Sequence, residues 1–151
     1  MKIAIIGTRG IPNNYGGFEQ LAQFLSIGLF QNGHDVYVYS SHKHPYKQKK
    51  WQGINIIHKY CPENFVGSFG QFIYDLNCIW DSRNELFDVV INLGYTSSSI
   101  WLKLFPPTTF IITNMDGLEW KRTKYNKFVR KFLMYAEKKA VKNSHLLVAD
   151  S

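Results

Sequence analysis

Six short apolar runs rich in β-branched residues recur along the chain, most of them separated by stretches with helical periodicity. That alternation constrains the fold more than any other feature. The runs are residues 2–7 (KIAIIG), 35–39 (DVYVY), 54–59 (INIIHK), 87–92 (FDVVIN), 109–113 (TFIIT) and 144–149 (SHLLVA). Phe18, Leu21, Ala22, Leu25 and Leu29 recur at helical spacing up to Asn32-Gly33, a helix stop. Phe65, Val66, Phe69, Phe72, Ile73, Leu76, Ile79 and Trp80 fall on one face of a second helix. Residues 97–105 make a short helix closed by Pro106-Pro107. Phe128, Val129, Phe132, Leu133, Ala136 and Ala140 mark the last amphipathic helix. Strands and helices in this order predict an α/β, Rossmann-like, three-layer domain with a parallel sheet, formed by residues 1–151 as one unit. The lysine-rich residues 42–53 read as a surface loop.

Composition removes other classes. With 45% hydrophobic and 19% charged residues the chain is neither disordered nor fibrous. No apolar run approaches a membrane span, and residues 1–10 run into a glycine turn too early for a signal-peptide core. Cys61 and Cys78 lack metal or redox spacing and read as reduced, packed thiols in a cytoplasmic protein. His42, His44 and His58 carry no nearby carboxylate and read as solvent-exposed rather than metal-binding, and His34 as structural.

The net charge of +7 is uneven. Residues 41–60 carry +5, residues 61–120 carry −5 and residues 121–151 carry +7. Two basic blocks around an acidic middle suit an anionic partner: nucleic acid, an anionic membrane or a phosphate-bearing ligand. Lys121, Arg122, Lys124, Lys127, Arg130, Lys131, Lys138 and Lys142 flank the last helix. A basic amphipathic helix can lie on anionic lipid, whereas an ordinary surface helix spends its one apolar stripe on the sheet.

In sheets of this kind ligands bind beyond the carboxyl ends of the strands, which points to residues 8–17, 40–44, 94–98 and 114–121. The first of these, TRGIPNNYGG, is neither a dinucleotide fingerprint, since Arg9 stands where glycine is required, nor a Walker loop. Gly16-Gly17 opens a helix whose free N–H groups suit a phosphate oxygen. A plain strand-to-helix turn would not need ten residues including Arg9, Asn13, Asn14 and Tyr15. In residues 114–122 (NMDGLEWKR), Asp116 and Glu119 could accept hydrogen bonds from sugar hydroxyls, Asp116 could act as a base, and Trp120 could stack on a sugar ring. An equal alternative makes Asp116-Gly117 a turn, Glu119 a water-facing residue and Trp120 core.

MKIAIIGTRGIPNNYGGFEQLAQFL, NGHDVYVYS and NMDGLEWKRTKYNKFVRKFLMYAEKKAVKNSHLLVADS together resemble a subgroup of family 4 glycosyltransferases that includes bacterial rhamnosyltransferases of surface-polysaccharide assembly. The resemblance implies the amino-terminal, acceptor-side half of a GT-B architecture, with a carboxyl-terminal donor-binding domain absent from this chain and a hinge beginning at Asp150-Ser151. It implies transfer with retention from a nucleotide sugar to a lipid-linked or growing glycan, with no metal, no cofactor beyond that co-substrate, and no nucleic-acid partner. By position it assigns Gly16, Gly17 and Arg9 to the donor diphosphate, and Tyr15, Glu19, Tyr95, Glu119, Trp120 and Arg122 to the acceptor. Asp116 becomes the catalytic candidate, and Tyr95 or Thr96 stands where relatives carry a histidine. The expected location is the cytoplasm, peripheral on the inner face of the plasma membrane. A stand-alone binding module for anionic lipid or polymer is the alternative; a nucleotide-dependent oxidoreductase fails on its fingerprint.

Overall fold

The computed structural model describes residues 1–149. The hinge expected at Asp150-Ser151 lies outside the described residues. Strand β1 (Lys2–Ile6) runs up the middle of a seven-stranded sheet, because its β-branched side chains are apolar on both faces and need cover on both. The sheet also contains β2 (Asp35–Ser41), β3 (Lys50–Trp51), β4 (Ile54–Lys59), β5 (Val89–Leu93), β6 (Phe110–Met115) and β7 (Leu146–Ala149). Their order is β3-β4-β2-β1-β5-β6-β7, parallel throughout except for β3, which pairs antiparallel with β4.

Helices α1 (Gly17–Gln31), α2 (Glu63–Val66), α3 (Phe69–Glu85) and α4 (Lys127–Asn143), with a 3-10 segment at Ser99–Leu104, complete the layers. Alternation along β1 divides the core. Ala4 and Ile6 pack with Tyr74, Cys78 and Ile79 of α3, whereas Ile5 packs with Ala22 of α1 and with Val36, Val38 and Ile54. Each buried valine or isoleucine among them contributes about 1.5–3 kcal/mol. Both cysteines are buried and unpaired, and burial raises the Cys78 thiol well above its usual range.

Several expectations are corrected. The loop at residues 42–53 holds the short edge strand β3. The histidines of this loop and of β4, expected to be solvent-exposed, are instead hydrogen-bonded within the protein. The backbone N–H of Cys61 donates to His42 Nδ1, His58 lies 2.9 Å from the Tyr46 carbonyl, and His44 is buried with its ring against the Pro12 carbonyl.

The helix read over residues 65–80 breaks at Gly67 into α2 and α3, and the buried side of α3 is Gly70, Tyr74, Asp75, Cys78, Ile79 and Ser82. Phe65, Phe69, Ile73 and Trp80 face solvent instead. Gly70 decides this, since a side chain there would run into the backbone of Glu63, so α3 seats its smallest residue against α2. In α4 only Leu133, Ala136 and Ala140 are buried; Phe128 and Val129 are exposed.

Candidate functional site

The sheet order reverses between β1 and β5, and there the carboxyl ends of β1, β5 and β6 open into a cleft of about 270 Å³. It is lined by Gly7, Thr8 and Arg9 after β1, by Gly16, Gly17 and Glu19 at the start of α1, by Leu93, Gly94, Thr96, Ser97 and Ser98 at and after the end of β5, and by Asp116 after β6. Three of the four segments picked from topology meet here. The fourth contributes Ser41, Lys43 and His44 to an adjoining cavity of about 140 Å³ that shares Arg9, Tyr15 and Gln71 with the first.

The loop between β1 and α1 is held from below. Glu19 is buried, and its Oε1 accepts from the Arg9 backbone N–H at 2.8 Å and the Thr8 hydroxyl at 3.3 Å. Tyr74 Oη donates to the Thr8 carbonyl at 2.9 Å, tying the loop to α3. Arg9 is oriented twice, by an ion pair to Glu63 at 2.7 Å and by the Tyr15 ring 4.0 Å from its guanidinium carbon. Glu19 therefore serves the loop's shape as well as lining the cleft.

No side chain caps α1, whose N-cap is Gly16. Gly16 has φ −167, extended backbone open to any residue, and a Cβ on Gly17 would meet nothing within 4 Å. The protein's own packing therefore does not require glycine at Gly17. What the pair supplies is open space over an uncapped helix N-terminus, the arrangement that admits an anion to backbone N–H groups.

A residue that sequence reasoning missed completes the floor. Asp75 reaches in from α3 with its carboxyl buried; it accepts from the Ser97 hydroxyl and, at 3.1 Å, from Gln71 Nε2. Burial pushes its pKa up to about 7, with the two hydrogen bonds opposing. The available signal was a carboxylate on the same helical face as Tyr74, Cys78 and Ile79. Ser97 and Ser98, within the expected segment 94–98, line the cleft beside it.

Of the residues expected at the site, Arg9, Tyr15, Gly16, Gly17, Glu19 and Asp116 line this cleft, as does Thr96. Tyr95, Glu119, Trp120 and Arg122 stand behind it. Tyr95 is fully buried against Ala136 and Ala140. Its hydroxyl donates to the Gly117 carbonyl and accepts from the Glu119 N–H, both at 3.3 Å, so it latches the Asp116 loop. Glu119 is buried and paired with Arg122 at 2.8 Å, rather than facing water. Trp120 is half-buried, with Nε1 donating to Glu137 at 2.8 Å. Among the described residues no group of three or more His, Cys, Asp or Glu side chains is placed to hold a metal ion.

The cleft thus combines an uncapped helix start, a fixed guanidinium, and three carboxylates, Asp116 half-exposed and Glu19 and Asp75 buried. Such a set can hold an anion at one end and hydroxyl groups at the other.

Residues 107–151 match the family model described as a domain of unknown function, DUF1972. No curated protein matches the chain. The fold over 97% of the chain is similar to that of a sucrose-phosphate synthase from Thermosynechococcus elongatus, with a TM-score of 0.70 and 14% sequence identity. The chain spans 41% of that protein's length. The shared architecture is the α/β, Rossmann-like layer structure described above.

Proposed function

We propose that the chain is the acceptor-side domain of a retaining GT-B glycosyltransferase, rhamnosyltransferase-like, that moves a sugar from a nucleotide sugar to a lipid-linked or growing glycan. The observation that carries this reading is the uncapped Gly16-Gly17 helix start, which shares one cleft with Arg9, Asp75 and Asp116. The sequence resemblance and the likeness to a sucrose-phosphate synthase fold support it.

In this reading the donor-binding domain is a separate unit across the cleft. The N–H groups at Gly16 and Gly17, with Arg9, hold the donor diphosphate; stabilising that leaving group is electrostatic work that fixed dipoles do well. The acceptor hydroxyl lies toward Asp116 and Asp75, and Tyr15 and Glu19 shape its seat. Tyr95, Glu119, Trp120 and Arg122 act through the Asp116 loop that they brace. The acceptor oxygen bonds to the anomeric carbon on the face the diphosphate leaves, and its proton passes to a diphosphate oxygen or to Asp116. No metal takes part, and the nucleotide sugar is a co-substrate. The protein works in the cytoplasm at the inner face of the plasma membrane, where the basic residues between Lys121 and Lys142 favour anionic headgroups. No helix among the described residues is long and apolar enough to cross a membrane.

Backbone amide NMR with a nucleoside diphosphate-sugar tests the site. The Gly16 and Gly17 resonances should shift on titration. Gly17→Ala should abolish those shifts while changing stability by no more than about 1 kcal/mol. Unshifted resonances at millimolar ligand would remove the diphosphate assignment.

A second expectation follows from the two-domain reading: residues 1–151 by themselves transfer no sugar. Turnover of a radiolabelled nucleotide sugar by the 151-residue protein would refute the two-domain reading. The exposed phenylalanines of α3 and α4 favour the second reading, a stand-alone lipid-binding module.

A further inference from the structure

The expected apolar stripes of α3 and α4 are only partly used by the core, and the unused parts adjoin. Phe69 is 73% exposed and Phe128 is 84% exposed, while Phe65 on α2 is 84% exposed. The rings form a continuous track across the two helices. Phe69 lies 6.0 Å from Phe72, and Phe72 packs edge-on to Phe132 at 5.5 Å. Phe128 stands one turn before Phe132 on α4. Two aromatic side chains this open, joined through Phe72 and Phe132, exceed the scatter of single exposed apolar residues on an ordinary surface.

Lysines border the track. Lys127 and Lys131 sit on α4 beside Phe128, with Lys124 just before the helix, all exposed. The nearest charge on the α3 side is equally informative: residues 64–74 contain no acid and no base. A second copy docking face to face would bring like charges together. An apolar patch rimmed by lysines instead complements a surface with a hydrocarbon interior and anionic heads.

We infer that this α3–α4 aromatic face docks on an anionic phospholipid bilayer, with Phe69 and Phe128 entering the acyl boundary and Lys124, Lys127 and Lys131 meeting phosphate headgroups. The placement suits a membrane-borne acceptor. α3 carries Gln71 and Asp75 into the cleft and Phe69 and Ile73 outward, so the mouth of the site and the docking face belong to the same first turns of one helix. The inference deepens the membrane part of the reading above and does not depend on sugar transfer.

The test is sedimentation of the 151-residue protein with phosphatidylglycerol-containing vesicles and with pure phosphatidylcholine vesicles, at low and high salt. The protein should pellet with the anionic vesicles, and the Phe69→Ser, Phe128→Ser double variant should partition at least tenfold less. Both side chains are exposed, so the variant should keep its melting temperature. Phe128→Trp should gain a blue-shifted emission component that brominated acyl chains quench. Lys127→Gln with Lys131→Gln should reduce binding and its salt dependence.

Binding unaffected by the serine changes, with no quenching, would overturn insertion and leave only electrostatic adsorption. Absence of binding to anionic vesicles would overturn the whole inference. So would a wild-type dimer that the serine changes dissolve, since the face would then belong to a second copy. The amide titration at Gly16 and Gly17 fails or succeeds independently of each of these results.

Discussion

Gly7→Ala is expected to cost about 4 kcal/mol or more, enough to leave much of the chain unfolded at physiological temperature. Two effects add. Gly7 has φ +81, a conformation that L residues with a Cβ rarely adopt. A Cβ there would also fall 2.2 Å from the Leu93 carbonyl oxygen and 2.9 Å from the Leu93 nitrogen. Those atoms belong to β5, beside β1 at the centre of the sheet, so relief requires moving a strand rather than turning a side chain. The close approach brings the loops after β1 and β5 together and so shapes one wall of the cleft. Urea denaturation of both proteins checks this, with Gly17→Ala as a control that puts the same methyl group into open space. A Gly7→Ala midpoint within a few tenths molar of wild type would contradict it.

The second large effect is a pH dependence written into Asp75. Its carboxyl holds a proton up to about pH 7 in the folded protein, against 3.8 for an ordinary aspartate. Between those values the folded state binds more protons than the unfolded state, so stability falls as pH rises, by about 1.4 kcal/mol per unit. Below the lower value and above the upper one this group contributes no slope. The full difference is roughly 4 kcal/mol. Asp75→Asn removes the ionisation while keeping a polar group of the same shape, and the Ser97 hydroxyl can turn from donor to acceptor. The variant should therefore be more stable than wild type by roughly 4 kcal/mol at pH 8 and by less than half of that at pH 5, the two converging only below about pH 4. Equal slopes for both proteins in denaturation at those pH values would place the titration elsewhere. That a cleft-lining acid is held at a stability cost supports its use in binding, since strain of this kind gathers at functional sites.

The strand framework was legible because parallel strands buried on both faces must be apolar and β-branched, as KIAII and the other runs are. β3 was not, because two residues, Lys50 and Trp51, carry no periodicity. The glycine loop announced itself by composition, but the division of labour within it did not. Only the positions of neighbouring atoms separate Gly7, which the sheet requires, from Gly17, which it does not. The face of α3 was misread for a physical reason: it buries Asp75 and Ser82 and exposes Phe69 and Trp80, reversing the usual correlation. Tyr95 and Thr96 lie in the loop beyond the strand expected at residues 87–92, where no period says which of two neighbours turns inward.

The two edges of the sheet differ in a way that matters for handling the protein. At one side the edge strand β3 is two residues long, carries Lys50 and follows Lys47 and Lys49, so little invites another strand. At the other side β7 is Leu-Leu-Val-Ala, exposed along its length, uncharged, and paired only with β6 among the described residues. An open apolar edge of that kind is a template for unwanted pairing between molecules. Concentrated samples of this chain would be expected to clump through that edge, and a lysine in place of Val148 is the smallest change that would guard it.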